Sequence, residues 1–150
     1  MELKEELKLE KYRYVLAQKQ ALNEATFKIV AVYQALVLAL AAGQYTVVTA
    51  YDKAQLKPAW ALPSSYMLLG LFIMVSVLIL ALLVGGVLSW KGYRDDESEI
   101  EHEVLGVPKD AIKWRSLLCW YETYLVVFVL VVGGLGVWVH LKYVFPIFAS

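Results

Sequence analysis

The sequence predicts an all-α integral membrane protein: three transmembrane helices, an N-terminal amphipathic cytosolic helix and a short helical cytosolic loop. Three observations predict it. The first is the placement of charge. Ile29 to Tyr51 and Pro58 to Trp90 carry none, and Thr123 to Leu141 carries only His140. A lipid core is about 30 Å thick and a helix rises about 1.5 Å per residue, so about 20 apolar residues cross it. The second is composition. Of 150 residues, 60% are hydrophobic, against roughly 45–50% in a soluble domain, and the excess is gathered in those stretches. The third is aromatic placement. Tyr51, Trp60, Tyr66, Trp138 and Tyr143 mark one set of span ends, and Trp90, Tyr93, Trp120, Tyr121 and Tyr124 the other. Amphipathic rings favour the headgroup layer.

The elements follow in order. Residues 1–28 read as a cytosolic helix of Glu, Lys, Leu, Ala and Gln, all strong helix formers. Leu9, Tyr12, Leu16, Asn23 and Phe27 form a mostly apolar stripe, with a weaker one through Leu3, Leu7 and Tyr14. The helix runs on into span one, 29–51, with Asn23 able to cap a separate helix. With five glutamates in the first 24 residues and no apolar core after a short basic segment, no cleavable signal peptide is expected, and span one is expected to act as the targeting signal. An outer loop, 52–65, holds Pro58 and Pro63, and Ser64 or Ser65 caps span two, 66–90. The cytosolic loop, 91–122, contains an acidic helix capped by Asp95 or Asp96 and stopped at Gly106. Pro108 then opens an interfacial helix with Ile112, Arg115 and Leu118 on one side. Span three covers 123–141, and 142–150 is an outer tail.

Charge gives the direction. Lys4, Lys8, Lys11, Arg13, Lys19 and Lys28 precede span one, and Lys91, Arg94, Lys109, Lys113 and Arg115 follow span two. Only Lys53, Lys57 and Lys142 fall on the other side. Lys and Arg accumulate in the cytoplasm. The N-terminus is therefore expected inside and the C-terminus outside, in the cell inner (plasma) membrane. Zero net charge and the lack of a basic tail argue against a nucleic-acid partner.

Span one carries Ala31, Ala35, Ala39 and Gly43 at four-residue spacing; span two has Gly85 between Ala81 and Ser89; span three has Gly133, Gly136 and His140. In lipid no hydrophobic force joins helices, so close backbone approach at small residues takes its place. These faces pack either the spans of one protomer or two protomers in a homo-oligomer. Gln34 and Gln44 are amides inside span one that need partners, as interhelical glue or as a polar lining with His140. His140 reads either as an interfacial side chain near Lys142 or as a proton relay. Glu122, the carboxylate at the inner end of span three, reads as a partner for Arg115 or Lys28.

Chemistry beyond packing has little to stand on. No nucleophile elbow, phosphate loop, dinucleotide fingerprint or zinc-protease motif occurs. The chain is read as a non-enzyme without cofactor or metal. Glu99 and His102 have the spacing of a half di-iron site, but a solvated acidic helix explains them. Cys119, the only cysteine, allows no intramolecular disulfide; it reads as a small apolar filler, with palmitoylation as the alternative.

A charged N-terminal helix enters span one through Leu22-Asn-Glu-Ala-Thr-Phe27, a two-helix hairpin follows, and Trp90-Lys-Gly-Tyr-Arg94 precedes an acidic helix. This layout, over residues 10–105, resembles the small multi-pass effectors of bacterial anti-phage systems, including the SMODS- and SLOG-associating two-transmembrane (SLATT) group. The third span departs from the two-span plan. The resemblance implies a homo-oligomer that permeabilises or depolarises the inner membrane when a cytosolic partner signals, an antiviral defence role. It carries no functional residue over by position. The competing reading is an accessory or scaffold subunit of a larger membrane complex.

Overall fold

The computed structural model describes residues 2–106, 108 and 120–149. The interfacial helix expected at Ile112, Arg115 and Leu118, and Cys119 with it, lie outside the described residues. Helix α1 runs from Glu2–Asp52, α2 from Pro58–Leu105 and α3 from Tyr121–Val139; a π-helical turn, His140–Val144, leads into α4, Phe145–Ala149. Three helical stretches are long and apolar enough to cross a membrane: one in α1, one in α2, and α3 with its continuation.

The helices outrun the spans. Helix α1 has 51 residues and α2 has 48, more than twice the roughly 20 that cross a bilayer. No break occurs at Asn23, which accepts a hydrogen bond from the Tyr121 hydroxyl at 3.0 Å instead of capping a second helix. No break occurs at Asp95 or Asp96 either, so the acidic segment is the end of α2 and not a separate helix. Polar residues of cap type mark a terminus only where the backbone leaves the helix. Neither stretch contains a residue that forces it to. Gly106 does end α2. Its φ of +67° lies in the left-handed region that glycine adopts without a Cβ penalty, and its N–H bonds back to the His102 carbonyl. The outer loop is shorter than expected, because α2 begins at Pro58 and not at Ser64 or Ser65. Proline fits a first helical position, and Trp60 and Ala61 donate to the Lys57 carbonyl. Pro63 lies inside the helix.

The chain forms two compact units. Unit 1 comprises residues 1–28 and 82–125; unit 2 comprises 29–81 and 126–150. In unit 1 the start of α1 and the end of α2 run antiparallel, with Lys8 paired to Glu103 and Lys19 to Glu97. The packed stripe of α1 is Tyr12, Val15, Lys19, Leu22 and Thr26. Leu9, Leu16 and Phe27, expected on that stripe, are exposed. The shift has an electrostatic side: the facing part of α2 is acidic, and Lys19 turns inward to pair with Glu97.

Unit 2 has its core at Tyr33, Ser76 and Val129. The Tyr33 and Ser76 hydroxyls are 3.2 Å apart, and Gly133 lies against Ser76, so all three spans meet at one level. Around this core the surface is apolar. Leu38, Met67, Val77 and Leu130 are all more than half exposed. Water would penalise such a surface by about 25 cal/mol per Å² of apolar area, and a hydrocarbon surround removes that penalty.

Candidate functional site

Two clusters bring chemically capable side chains together, one in each unit. In unit 2, Gln44 of α1 donates its amide N–H to Ser65 Oγ of α2 at 2.8 Å, and Ser65 Oγ lies 3.4 Å from Nε2 of His140. Ser65 and His140 are both buried. Having accepted from Gln44, the Ser65 hydroxyl has its own proton left for an unprotonated Nε2. His140 opens the π-helical turn, and the Phe145 N–H closes that turn on the His140 carbonyl. Such turns admit one extra residue and recur at functional sites. Tyr66 stands beside both the His140 and Phe145 rings, with centroids 6.3 and 5.8 Å away. At 6% exposure His140 is not an interfacial side chain reaching for water, and helix continues for nine residues beyond it.

The cluster borders an apolar cavity of about 310 Å³ between the three spans. Gln44 and His140 are its polar wall; Leu68, Phe72 and Val132 are among its apolar lining. Gly136 allows the approach of Phe72. A Cβ there would sit 2.6 Å from the Phe72 ring, and the ring can yield only by moving. Gly136→Ala is expected to lower stability by about 1–2 kcal/mol, the usual range for an overpacked contact. Thermal unfolding in detergent checks it; an unchanged midpoint would show the ring moves freely.

The structure thus joins two of the three polar residues singled out in the spans and separates the third. Gln44 and His140 share Ser65, whereas Gln34 is exposed. The small residues divide the same way. Gly43 packs against Leu68, Gly133 against Ser76 and Gly136 against Phe72, all within the protomer. Ala31, Ala35, Ala39 and Gly85 are exposed.

In unit 1 the centre is Glu97, only 4% exposed. Lys19 donates to its Oε2 at 2.7 Å and Arg94 to the same oxygen at 2.6 Å. Burial pushes the Glu97 carboxyl up, but the hydrogen bonds from Lys19 and Arg94 and their charges outweigh it. Its pKa ends below the ordinary 4.5. The Lys19 ammonium also stands 5.1 Å over the Trp90 ring, and Trp90 meets Trp120 edge to face at 3.9 Å. Phe27 stacks on Tyr121 at 5.6 Å. Tyr12 lies near the same acids: burial first, then the Glu101 and Glu97 carboxylates, raise its phenol above the ordinary 10.0. Glu122 is buried, but among the described residues no ion pair joins it to Lys28, and Arg115 lies outside them.

Sequence reasoning missed Ser65, Ser76, Tyr33 and Glu97. Each of the first three had a signal: a hydroxyl inside an apolar run needs a partner there. Glu97 had none, since it is one of three consecutive acids and only the fold buries it. Among the described residues no three His, Cys, Asp or Glu side chains converge on a metal-sized site. Comparison of the chain with protein-family models, curated proteins and solved structures gives no match.

Proposed function

We propose that this chain is a small oligomeric protein of the cell inner membrane that permeabilises the bilayer or conducts ions. Unit 1, on the cytoplasmic side, couples it to a soluble signalling partner, and the C-terminus lies outside. It acts without catalysis, as an effector of the kind deployed in antiviral defence. The single observation behind this reading is the exposed surface of α1, where Ala31, Ala35 and Ala39 form a small-residue stripe and the exposed amide of Gln34 lies at its edge, one turn from Ala31. An amide facing hydrocarbon is costly, and small residues let a second backbone come close enough to satisfy it. A second copy brings the same amide to the same seam, which places a polar line within a membrane assembly.

The direction rests on charge. Lys8, Lys19, Lys91 and Arg94 belong to unit 1, while Lys53, Lys57 and Lys142 belong to unit 2. A specific observation also favours the second reading, a scaffold subunit: Leu7, Leu9, Tyr14 and Leu16 are exposed on α1 within unit 1, the part that the proposed direction leaves outside the bilayer. Inducing the chain alone in cells that hold a potential-sensitive dye separates the two. Rapid depolarisation supports the conducting assembly. An unchanged potential, with co-purification of a stoichiometric membrane partner, refutes it in favour of the scaffold.

A further inference from the structure

The third apolar stretch ends in a cation that no acidic group answers. The Lys142 ammonium stands 5.0 Å over the Trp138 ring and 5.6 Å over the Tyr143 ring. All three side chains are exposed, and among the described residues no carboxylate or other hydrogen-bond acceptor meets the ammonium. The π-helical turn assembles this cluster. Residues three or four apart share a face of an α-helix, and residues five apart do not. Trp138 and Tyr143 are five apart, yet their rings meet edge to face at 5.6 Å. The turn His140–Val144 takes in an extra residue, and so carries Tyr143 round to the side that Trp138 and Lys142 share.

We propose that Lys142, Trp138 and Tyr143 hold the phosphate of an anionic phospholipid whose acyl chain lies along α3. Donor chemistry selects the head. The ammonium has three donors and no acceptor, the indole has one donor, and the phenol can donate. Such a cluster suits a ligand that only accepts, and a phosphodiester carries the single negative charge that balances one lysine. The two rings steady the ammonium by cation–π attraction without neutralising it. Spacing selects the body. Val131, Leu135, Trp138 and Lys142 follow one another at four, three and four residues, so they form one stripe, and its three apolar members are exposed. Lys142 lies eleven positions after Val131. That is about 16 Å of helix, close to the roughly 15 Å of hydrocarbon in one leaflet. The stripe therefore has a head-group end and an apolar run of acyl-chain length. A soluble phosphate would answer the cation and leave that run bare. The site goes beyond the conducting role and does not depend on it.

The test is native mass spectrometry of the full chain in detergent, titrated with dioleoyl phosphatidylglycerol or with dioleoylglycerol, which lacks the phosphate. The phospholipid should bind about tenfold tighter, the scale of one hydrogen bond to a charged group. Lys142→Gln should bring the two lipids level. Lys53→Gln, which removes another exposed lysine of unit 2, should leave the preference unchanged. Glycerol phosphate at millimolar concentration should not displace the phospholipid. Circular dichroism shows whether each variant keeps its helices, and the comparison of the two lipids on the unaltered protein stands without either variant. Equal binding of the two lipids there overturns the proposal. So does a preference that survives Lys142→Gln, an equal loss in Lys53→Gln, or displacement by glycerol phosphate.

Discussion

Glu97→Ala is expected to destabilise unit 1 by about 2–3 kcal/mol. Removing one partner of a buried ion pair leaves the other charge buried and unanswered, which typically costs about 3–5 kcal/mol. The figure is reduced here because the Lys19 side chain keeps 17% of its exposure and Arg94 keeps 40%, so both can turn partly toward water. The double variant Lys19→Met with Glu97→Leu should cost less than Glu97→Ala alone, since neither charge is then stranded. Hydrogen exchange in the first 28 residues of α1 measures both. Faster exchange in the double variant than in Glu97→Ala would show that the ion pair is not what holds α1 to α2.

The same residue gives unit 1 a pH dependence of known sign. The folded-state pKa of Glu97 lies below its ordinary 4.5. Folding therefore favours the deprotonated form, and its contribution is complete above the ordinary value. It declines as pH falls below about 4.5 and through the lower folded pKa. Protection of α1 amides in unit 1 should fall across that acid window in the unaltered protein. In Glu97→Gln the part of that fall due to this residue should vanish.

The three apolar helices were legible in the sequence because they depend on local composition. Twenty uncharged residues exclude water wherever the chain takes them, so all three apolar stretches became helices of spanning length. The ends of α1 at Asp52 and of α2 before Gly106 were legible, but the start of α2 and the lack of breaks at Asn23 and Asp95 were not. Asn23, Asp95 and Ser65 have the side chains of caps, yet none caps a helix; Asp95 pairs with Lys91 one turn back in a helix that runs on. Asn23 meets Tyr121, and Ser65 meets Gln44 and His140. The facing stripe of α1 misled for a related reason. Periodicity assigns Leu9 and Leu16 to the interior because it ranks side chains by hydrophobicity alone. The acids that pair with Lys8 and Lys19 sit on another helix, and Glu97 is 78 residues from Lys19. His140 looked interfacial because Lys142 follows it; the π-helical turn and α4 carry the helix on past both. For Asn23, Ser65, Lys19 and His140 the partner is long-range, and residue spacing within one helix contains no record of it.

Ala35→Leu should shift the chain toward monomer by tenfold or more and remove its effect on membrane potential. Ala35 is exposed on the protomer, midway between Ala31 and Ala39, with Gln34 at the edge of the same stripe. A leucine there meets nothing of its own chain, so the protomer should keep its thermal midpoint. A second backbone approaching that face meets the added side chain at the point where only a methyl leaves room. Small-residue seams depend on such approach, and interhelical hydrogen bonds across them contribute about 0.6–2 kcal/mol each. Losing the close contact and the Gln34 bond together passes the roughly 1.4 kcal/mol that corresponds to tenfold. Leu130→Phe, on an equally exposed apolar face of α3, is the control and should leave assembly unchanged. Cross-linking across a range of protein-to-lipid ratios reads the equilibrium. If Ala35→Leu and Leu130→Phe assemble alike, the face at Ala35 is covered by lipid alone, and the proposed conducting assembly must form elsewhere or not at all.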